Sequence, residues 1–192
     1  FDRDGWPDLV VSGYNQLQGL YDTTLYRNAG PDPLNPGAWQ WEAVVEADLE
    51  GVQGSSLAWG DWDEDGWPDL FLTGVRPGSP SEYFAVLYLN RLVEGPDGGM
   101  KRGLIDANMI AEFDTSSISN HGYSAGDSLP VDLNHDGRLD LILTGSNSGG
   151  AETTVWIQHF DSDLNQRSFV LLEEASSGDL SYRLPTTGSD EV

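Results

Sequence analysis

Short apolar segments recur along the whole chain, and polar turns rich in Gly, Pro, Asn and Asp separate them. In the middle of the chain these segments are residues 56–59, 68–74, 83–90 and 103–110. Their length, alternation and flanking turn residues are typical of β-strands. The pattern therefore predicts an all-β fold built from units of four short strands. Matching segments lie at 8–13, 23–28 and 39–47 in a first unit, and at 128–133, 140–145, 153–160 and 168–175 in a third.

The predicted units follow one another as 1–50, 51–115 and 116–178, and residues 179–192 could open a further unit. Residues 39–50 also fit an amphipathic helix, but their register match to the other fourth strands favours a strand. Residues 113–126 are polar and are interpreted as a long connection between the second and third units.

One acidic loop motif occurs three times, each time between two predicted strands. Its most complete copy is DWDEDGWPD, in which Asp61 takes position 1 and Asp69 position 9. Equivalent positions in successive copies, Asp2, Asp63 and Asn134, are separated by 61 and 71 residues. A period of this size indicates a repeated unit of several strands rather than a helical hairpin, although about 40–50 residues is commoner for propellers.

The motif has the oxygen ligands that a hard cation such as Ca²⁺ requires, which are six to eight at about 2.3–2.6 Å. Alternate side chains can turn inward around an ion, and Gly66 permits the left-handed backbone of the sharp turn. The backbone carbonyl at position 7 can also face the ion. The predicted ligands are Asp61, Asp63, Asp65, Trp67 and Asp69 in the second loop; Asp132, Asn134, Asp136, Arg138 and Asp140 in the third; and Asp2, Asp4, Trp6 and Asp8 in the first.

Two loops are therefore expected to form complete Ca²⁺ sites, whereas the first lacks position 1 and should be the weakest. An EF-hand is excluded because position 12 is Leu72, Leu143 or Val11 rather than Glu, and because strands rather than helices flank the loops. The nonapeptide repeats of parallel β-helices have a different spacing. The remaining alternative is a set of solvated Asp-Gly turns, and recurrence of the motif in three copies argues against it.

The composition of the chain limits the kinds of molecule that it is expected to bind. The chain carries 32 acidic and nine basic residues, for a formal charge of −23. Such a surface should repel nucleic acid and anionic lipid. There is no Cys, which excludes disulfides and thiolate metal sites. No apolar run reaches the ~20 residues of a membrane-spanning helix. We therefore expect neither nucleic acid as a partner nor a membrane span.

The three loops and their strands resemble the FG-GAP/VCBS repeats of integrin α-subunit-type β-propellers. The segment SSLAWGDWDEDGWPDLFLTG is similar to the family's core, and LYRNAG and LYLNRL are similar to the strand that follows it. The resemblance implies one four-stranded blade per repeat, with Ca²⁺ held by the loop between the first two strands at the ligands named above. It also implies more blades than three, so we expect this chain to be a segment of a larger propeller.

The resulting functional hypothesis is an extracellular, calcium-stabilised, non-catalytic adhesion module that binds a protein or glycan. The alternatives are the propeller of a secreted polysaccharide lyase or hydrolase, and a subunit of a surface filament completed by neighbouring subunits. His121, His135 and His159 are interpreted as surface or turn residues because they form no ligand pattern. A further group, Trp6, Trp59, Trp62 and Trp67, is expected to pack between blades, with a sugar-stacking platform as the alternative.

Overall fold

The computed structural model describes residues 1–79, 82–95, 97–119 and 121–172, and their strands form three sheets. The first sheet has the order β1-β2-β3, with β1 at Leu9–Asn15, β2 at Leu20–Pro31 and β3 at Trp39–Ala43. The second has the order β4-β5-β6-β7, with β4 at Gln53–Gly60, β5 at Asp69–Val75, β6 at Tyr83–Glu94 and β7 at Met100–Asp106.

The third sheet has the order β8-β12-β11-β10-β9. Its strands are β8 at Phe113–Asp114, β9 at Ser124–Val131, β10 at Asp140–Asn147, β11 at Gly150–Asp161 and β12 at Gln166–Leu171. Neighbouring strands are antiparallel in all three sheets, except that the two-residue β8 runs parallel to β12.

The all-β prediction is confirmed, and the second sheet has the four predicted strands in their predicted order. The first sheet has three strands, which correspond to the second, third and fourth strands of its neighbour. The third has five because β8 adds to its outer edge. Residues 39–43 form a strand, so the helical alternative for this segment is wrong. The predicted fourth strand of the second unit ends early, because residues 107–109 turn into a 3₁₀ helix.

The interpretation of residues 113–126 as a polar connection is wrong. They contain β8, a four-residue helix α1 (Ser116–Ser119) and the start of β9. Phe113, Ile118 and Tyr123 are all buried in the core between the second and third sheets. Serines and a threonine separate these apolar residues, so the average composition of the segment is polar. Within the described ranges, no helix is long and apolar enough to cross a membrane.

Two apolar cores hold the sheets face to face. One lies between the first and second sheets and contains Leu25, Leu70 and Leu72. The other lies between the second and third sheets and contains Phe71 and Leu141. Alternate residues of β5 therefore pack against opposite neighbours, as the two-residue period of a strand requires. The middle sheet is buried on both faces, and this explains why every residue of β5 is buried.

Candidate metal centre

The second loop follows β4 and leads into β5, and its backbone brings three carboxylates together. Asp61, Asp63 and Asp65 each place one carboxylate oxygen within 4.8 Å of the others. Two ligands on opposite sides of one Ca²⁺ would lie about 4.6–5.2 Å apart, twice the usual metal–oxygen distance. The separation therefore suits a single shared ion. The structure brings together three of the four side chains predicted for this loop.

Left-handed backbone at two positions creates this curl. Position 6 is glycine in every loop, with φ of 98° at Gly5, 85° at Gly66 and 88° at Gly137. Position 4 is also left-handed, with φ of 58° at Arg3, 61° at Glu64 and 60° at His135. Non-glycine residues seldom adopt this conformation. Its recurrence at one position in three loops shows that the loops share one backbone fold.

Short hydrogen bonds within the second loop leave other carboxylate oxygens available. Asp61 Oδ2 accepts from the Gly66 amide at 2.9 Å, and Asp65 Oδ1 accepts from the Trp67 amide at 2.8 Å. Asp61 Oδ1 is buried and has no hydrogen-bond partner within the described part of the chain. Burial, together with the neighbouring Asp63 and Asp65, raises the pKa of Asp61 although the Gly66 bond opposes the shift. A cation beside Asp61 Oδ1 would relieve both unfavourable effects.

Asp69, at position 9, joins the loop to the sheet. Its Oδ2 accepts from the Trp62 amide at 2.9 Å, and its Oδ1 accepts from the Asn90 amide on β6 at 2.8 Å. Burial dominates its electrostatics and raises the pKa of Asp69 to about 7, although these two backbone donors favour the carboxylate. The side chain therefore links three segments of the second sheet, a role that the sequence did not predict.

Arg91, on β6, provides positive charge at the second loop. Its guanidinium makes an ion pair with Asp63 and donates to Asp65 Oδ2 at 2.9 Å. The side chain of Asp63 is only 4% exposed in this ion pair. A cation that used the same carboxylate oxygens would compete directly with the guanidinium.

The third loop repeats this geometry. Asp132 accepts from the amides of Asp136 and Gly137 at 3.2 and 3.0 Å, and Asn134 Oδ1 accepts from the Asp136 amide at 3.0 Å. Asp140 accepts from the Leu133 and Gln158 amides, both at 2.9 Å, and burial raises its pKa. Arg138, whose backbone carbonyl was the predicted ligand, also pairs with Asp136 through its side chain.

The first loop has the same internal hydrogen bonds. Asp2 Oδ1 accepts from the Asp4 amide at 3.1 Å, and Asp4 Oδ1 accepts from the Trp6 amide at 2.9 Å. Asp8 pairs with the amino group of Phe1 and accepts from the Asn28 amide. Arg27 bonds to both Asp2 and Asp4. Burial alone would raise the pKa of Asp2, but the Arg27 guanidinium holds this pKa below its usual value.

The position-4 side chains of the first and second loops each reach the next repeat. Arg3 of the first loop donates to the Gly66 carbonyl of the second at 2.8 Å. Its guanidinium lies over the indole of Trp67, 5.4 Å from the ring centroid, and Arg102 lies 3.7 Å from the same centroid. Glu64 of the second loop accepts from Arg167 of the third sheet at 2.8 Å. The first loop therefore contacts the second directly, and the second loop contacts β12 of the third sheet.

Trp6, Trp59 and Trp62 have different environments. Trp62 is buried in the core between the second and third sheets, and Trp59 packs against the core between the first and second. Trp6 remains 41% exposed and makes an edge contact with Trp39 at 5.0 Å between centroids. Packing between sheets is therefore confirmed for Trp59 and Trp62, whereas Trp6 with Trp39 forms an accessible aromatic surface.

The histidines contribute no ligands to the carboxylate cluster. His121 is half-buried, its ring stacks edge-on with Trp156 at 4.8 Å, and its Nδ1 lies 2.7 Å from the Ser117 carbonyl. It lies in a turn, as predicted, where its backbone N–H donates to the Ile118 carbonyl at 2.9 Å, but its ring is packed rather than free on the surface. His135 is exposed in the third loop, and His159 is half-buried on β11.

Sequence reasoning missed one set of residues around the loops. The equivalent strands β2, β6 and β11 each carry a buried amide side chain at one position: Asn28, Asn90 and Gln158. The sequence carries a signal for these positions, because each amide residue lies two positions after an aromatic residue, in YRN, YLN and WIQ. The backbone N–H of each of these three residues donates to the position-9 carboxylate of its own sheet, which is Asp8, Asp69 or Asp140.

Comparison with known proteins gives one match. Residues 1–72 match the family model described as an FG-GAP-like repeat, which spans the first two acidic loops and the strand after each. No curated protein and no solved structure matches the chain.

Proposed function

We propose, for this chain that carries an FG-GAP-like repeat over residues 1–72, that its acidic loops bind Ca²⁺ and that the ions stabilise a β-propeller-type module. The observation that carries the proposal is the convergence of Asp61, Asp63 and Asp65 on one small volume. The third loop, with Asp132, Asn134 and Asp136, has the same backbone and provides a second site. The first loop, with Asp2 and Asp4, provides a weaker one.

The chemistry of the donors favours Ca²⁺ among common cations. The carboxylates and the backbone carbonyl at position 7 offer oxygen, and an irregular loop of this kind suits the six to eight ligands of Ca²⁺ better than the strict octahedron of Mg²⁺. An ion would also reduce the repulsion among these carboxylates in a chain of formal charge −23. Binding at 100 times the dissociation constant would stabilise the fold by about 2.7 kcal/mol for each site.

Calcium at the concentrations found outside cells would suit loops of this kind, because extracellular modules bind it at about 10⁻⁴–10⁻³ M. We therefore place the module outside the cell or on its surface, as a non-catalytic unit that binds a protein or a glycan. The exposed aromatic surface of Trp6, Trp39 and Trp41 supports this role, since each is 41–47% exposed. Aromatic faces of this kind bury large areas when a partner binds.

Calcium titration by calorimetry tests the proposal. The wild-type chain should bind Ca²⁺, and Asp63→Asn should weaken one site because it removes a negative charge from the cluster. Asp127→Asn is the matched control, since Asp127 lies on β9 and outside the three loops. Absence of binding to the wild-type chain at millimolar Ca²⁺, or equal loss in both variants, would contradict the proposal.

A further inference from the structure

The peptide groups on either side of Trp62 are fixed from two directions. Trp62 occupies position 2 of the second loop, between the predicted ligands Asp61 and Asp63. Its N–H donates to Asp69 Oδ2 at 2.9 Å, within its own sheet. Its carbonyl accepts a hydrogen bond from Gln158 Nε2 at 3.0 Å. Gln158 belongs to β11 of the third sheet, so a neighbouring sheet holds the backbone between two ligands of the second loop.

Gln158 is well suited to a positioning role. It is 1% exposed, and its own amide is fixed by a 2.9 Å bond to Asp140 Oδ1. Asp140 in turn accepts from Leu133, which holds position 2 of the third loop. A buried series of hydrogen bonds therefore runs from the third loop through Gln158 to the second. Buried donors of this kind restrict a backbone more than exposed ones do.

The same arrangement recurs one sheet earlier. Asn90, at the position on β6 equivalent to Gln158, donates from Nδ2 to the Phe1 carbonyl at 3.0 Å. Phe1 precedes Asp2 and therefore occupies position 2 of the first loop. The amide of Asn90 also bonds to Asp69, just as that of Gln158 bonds to Asp140. Two independent copies of one contact indicate a feature of the repeat rather than an isolated bond.

We infer that the first and second acidic loops are each held in their cation-binding shape by the next sheet along the array. Gln158 is the positioning residue for the second loop, and Asn90 is the positioning residue for the first. The inference rests on the proposed function and deepens it, because it makes cation affinity in one sheet depend on a side chain of another. A loop whose backbone is already ordered loses less conformational freedom when the ion binds.

The test uses Gln158→Met, which keeps the length of the buried side chain and removes its N–H donor. Calcium titrations are run in two backgrounds, so that the second and third loops are measured separately; the weaker first loop is unchanged in both. In the Asp132→Asn/Asp136→Asn background, which weakens the third loop, Gln158→Met should raise the dissociation constant of the second loop about tenfold. In the Asp63→Asn background, the third loop should keep its affinity within twofold, although Gln158 lies in its own sheet.

Thr73→Val is the matched control for loss of packing between the same two sheets. Thr73 is 1% exposed on β5, and its Oγ1 accepts from the Tyr123 amide at 2.9 Å and donates to the Phe84 carbonyl at 2.9 Å. It lies four residues, roughly 13 Å, along the strand from Asp69. Both variants should lower the melting temperature, and only Gln158→Met should weaken the second loop.

Three outcomes would overturn the inference. An unchanged affinity of the second loop in Gln158→Met, with a lowered melting temperature, would leave only a structural role. Equal loss in Thr73→Val would show that any damage between the sheets suffices, and a loss confined to the third loop would reverse the assignment. If Gln158→Met does not fold, Gln158→Asn replaces it. This variant keeps the amide but shortens its reach, and it should weaken the second loop in the same way. A wild-type chain that takes up no calcium would refute the proposed function itself.

Discussion

Three leucines at one position of the repeat offer a sharp test of how the sheets pack. Leu9, Leu70 and Leu141 each follow the position-9 aspartate and open the first, second and third versions of the same strand. Leu70 and Leu141 are 0% exposed because the preceding sheet covers them, whereas Leu9 is 47% exposed. Residue type and position in the repeat are the same for all three leucines, whereas the cover differs.

Replacement by alanine should therefore have unequal costs. Leu70→Ala and Leu141→Ala each leave a cavity between two sheets, and such changes cost about 2.7–5 kcal/mol in a well-packed core. Leu9→Ala loses only about half of the transfer free energy of a leucine and leaves no closed cavity, which gives roughly 1 kcal/mol. The predicted difference between covered and uncovered sites is therefore about 2–4 kcal/mol.

Urea denaturation followed by tryptophan fluorescence gives the free energy of unfolding and its slope with urea. The comparison is valid where the three variants share one slope. Equal losses of stability in Leu9→Ala and Leu70→Ala would refute the packing described here, because they would mean that the two leucines have the same environment in solution.

Three further predictions follow from the loops and the close contacts between strands. Removal of calcium with a chelator should lower the melting temperature of the wild-type chain by several degrees, and the drop should be smaller in Asp63→Asn; equal melting with and without calcium would contradict a structural role for the ion. Arg91→Gln should lower the dissociation constant of the second loop for calcium, because the guanidinium that pairs with Asp63 and Asp65 no longer competes; an unchanged or weaker affinity in calorimetry would show that Arg91 does not oppose the ion. Gly126→Ala should destabilise the third sheet by about 2 kcal/mol or more, since a Cβ there would lie 1.7 Å from the Thr144 carbonyl oxygen; an unchanged urea midpoint would show that the two strands are further apart.

The repetitive part of the structure could be predicted from the sequence. Alternating apolar residues and turn signals placed the strands of the second unit closely, because those strands have well-defined ends at glycine, proline and acidic loops. The left-handed glycines at position 6 were also predictable, since a loop that wraps an ion needs a sharp turn there. Local sequence determines these features.

The parts that depend on contacts between sheets could not be predicted in the same way. Phe113, Ile118 and Tyr123 are scattered among polar residues, and only the space left between two sheets explains why they are buried. Gln158 meets Trp62 across 96 residues of chain, a contact that no local pattern encodes. The extra role of Asp69 likewise depends on β6, which supplies one of its two donors.

The most direct test of the central claim is a count of bound calcium. Equilibrium dialysis of the whole chain against about 1 mM CaCl₂, a concentration at which extracellular modules are occupied, is followed by metal analysis of the protein compartment. The account predicts at least two calcium ions per chain, with one lost when Asp61 and Asp63 are both replaced by Asn. A protein compartment with no more calcium than the buffer would contradict it.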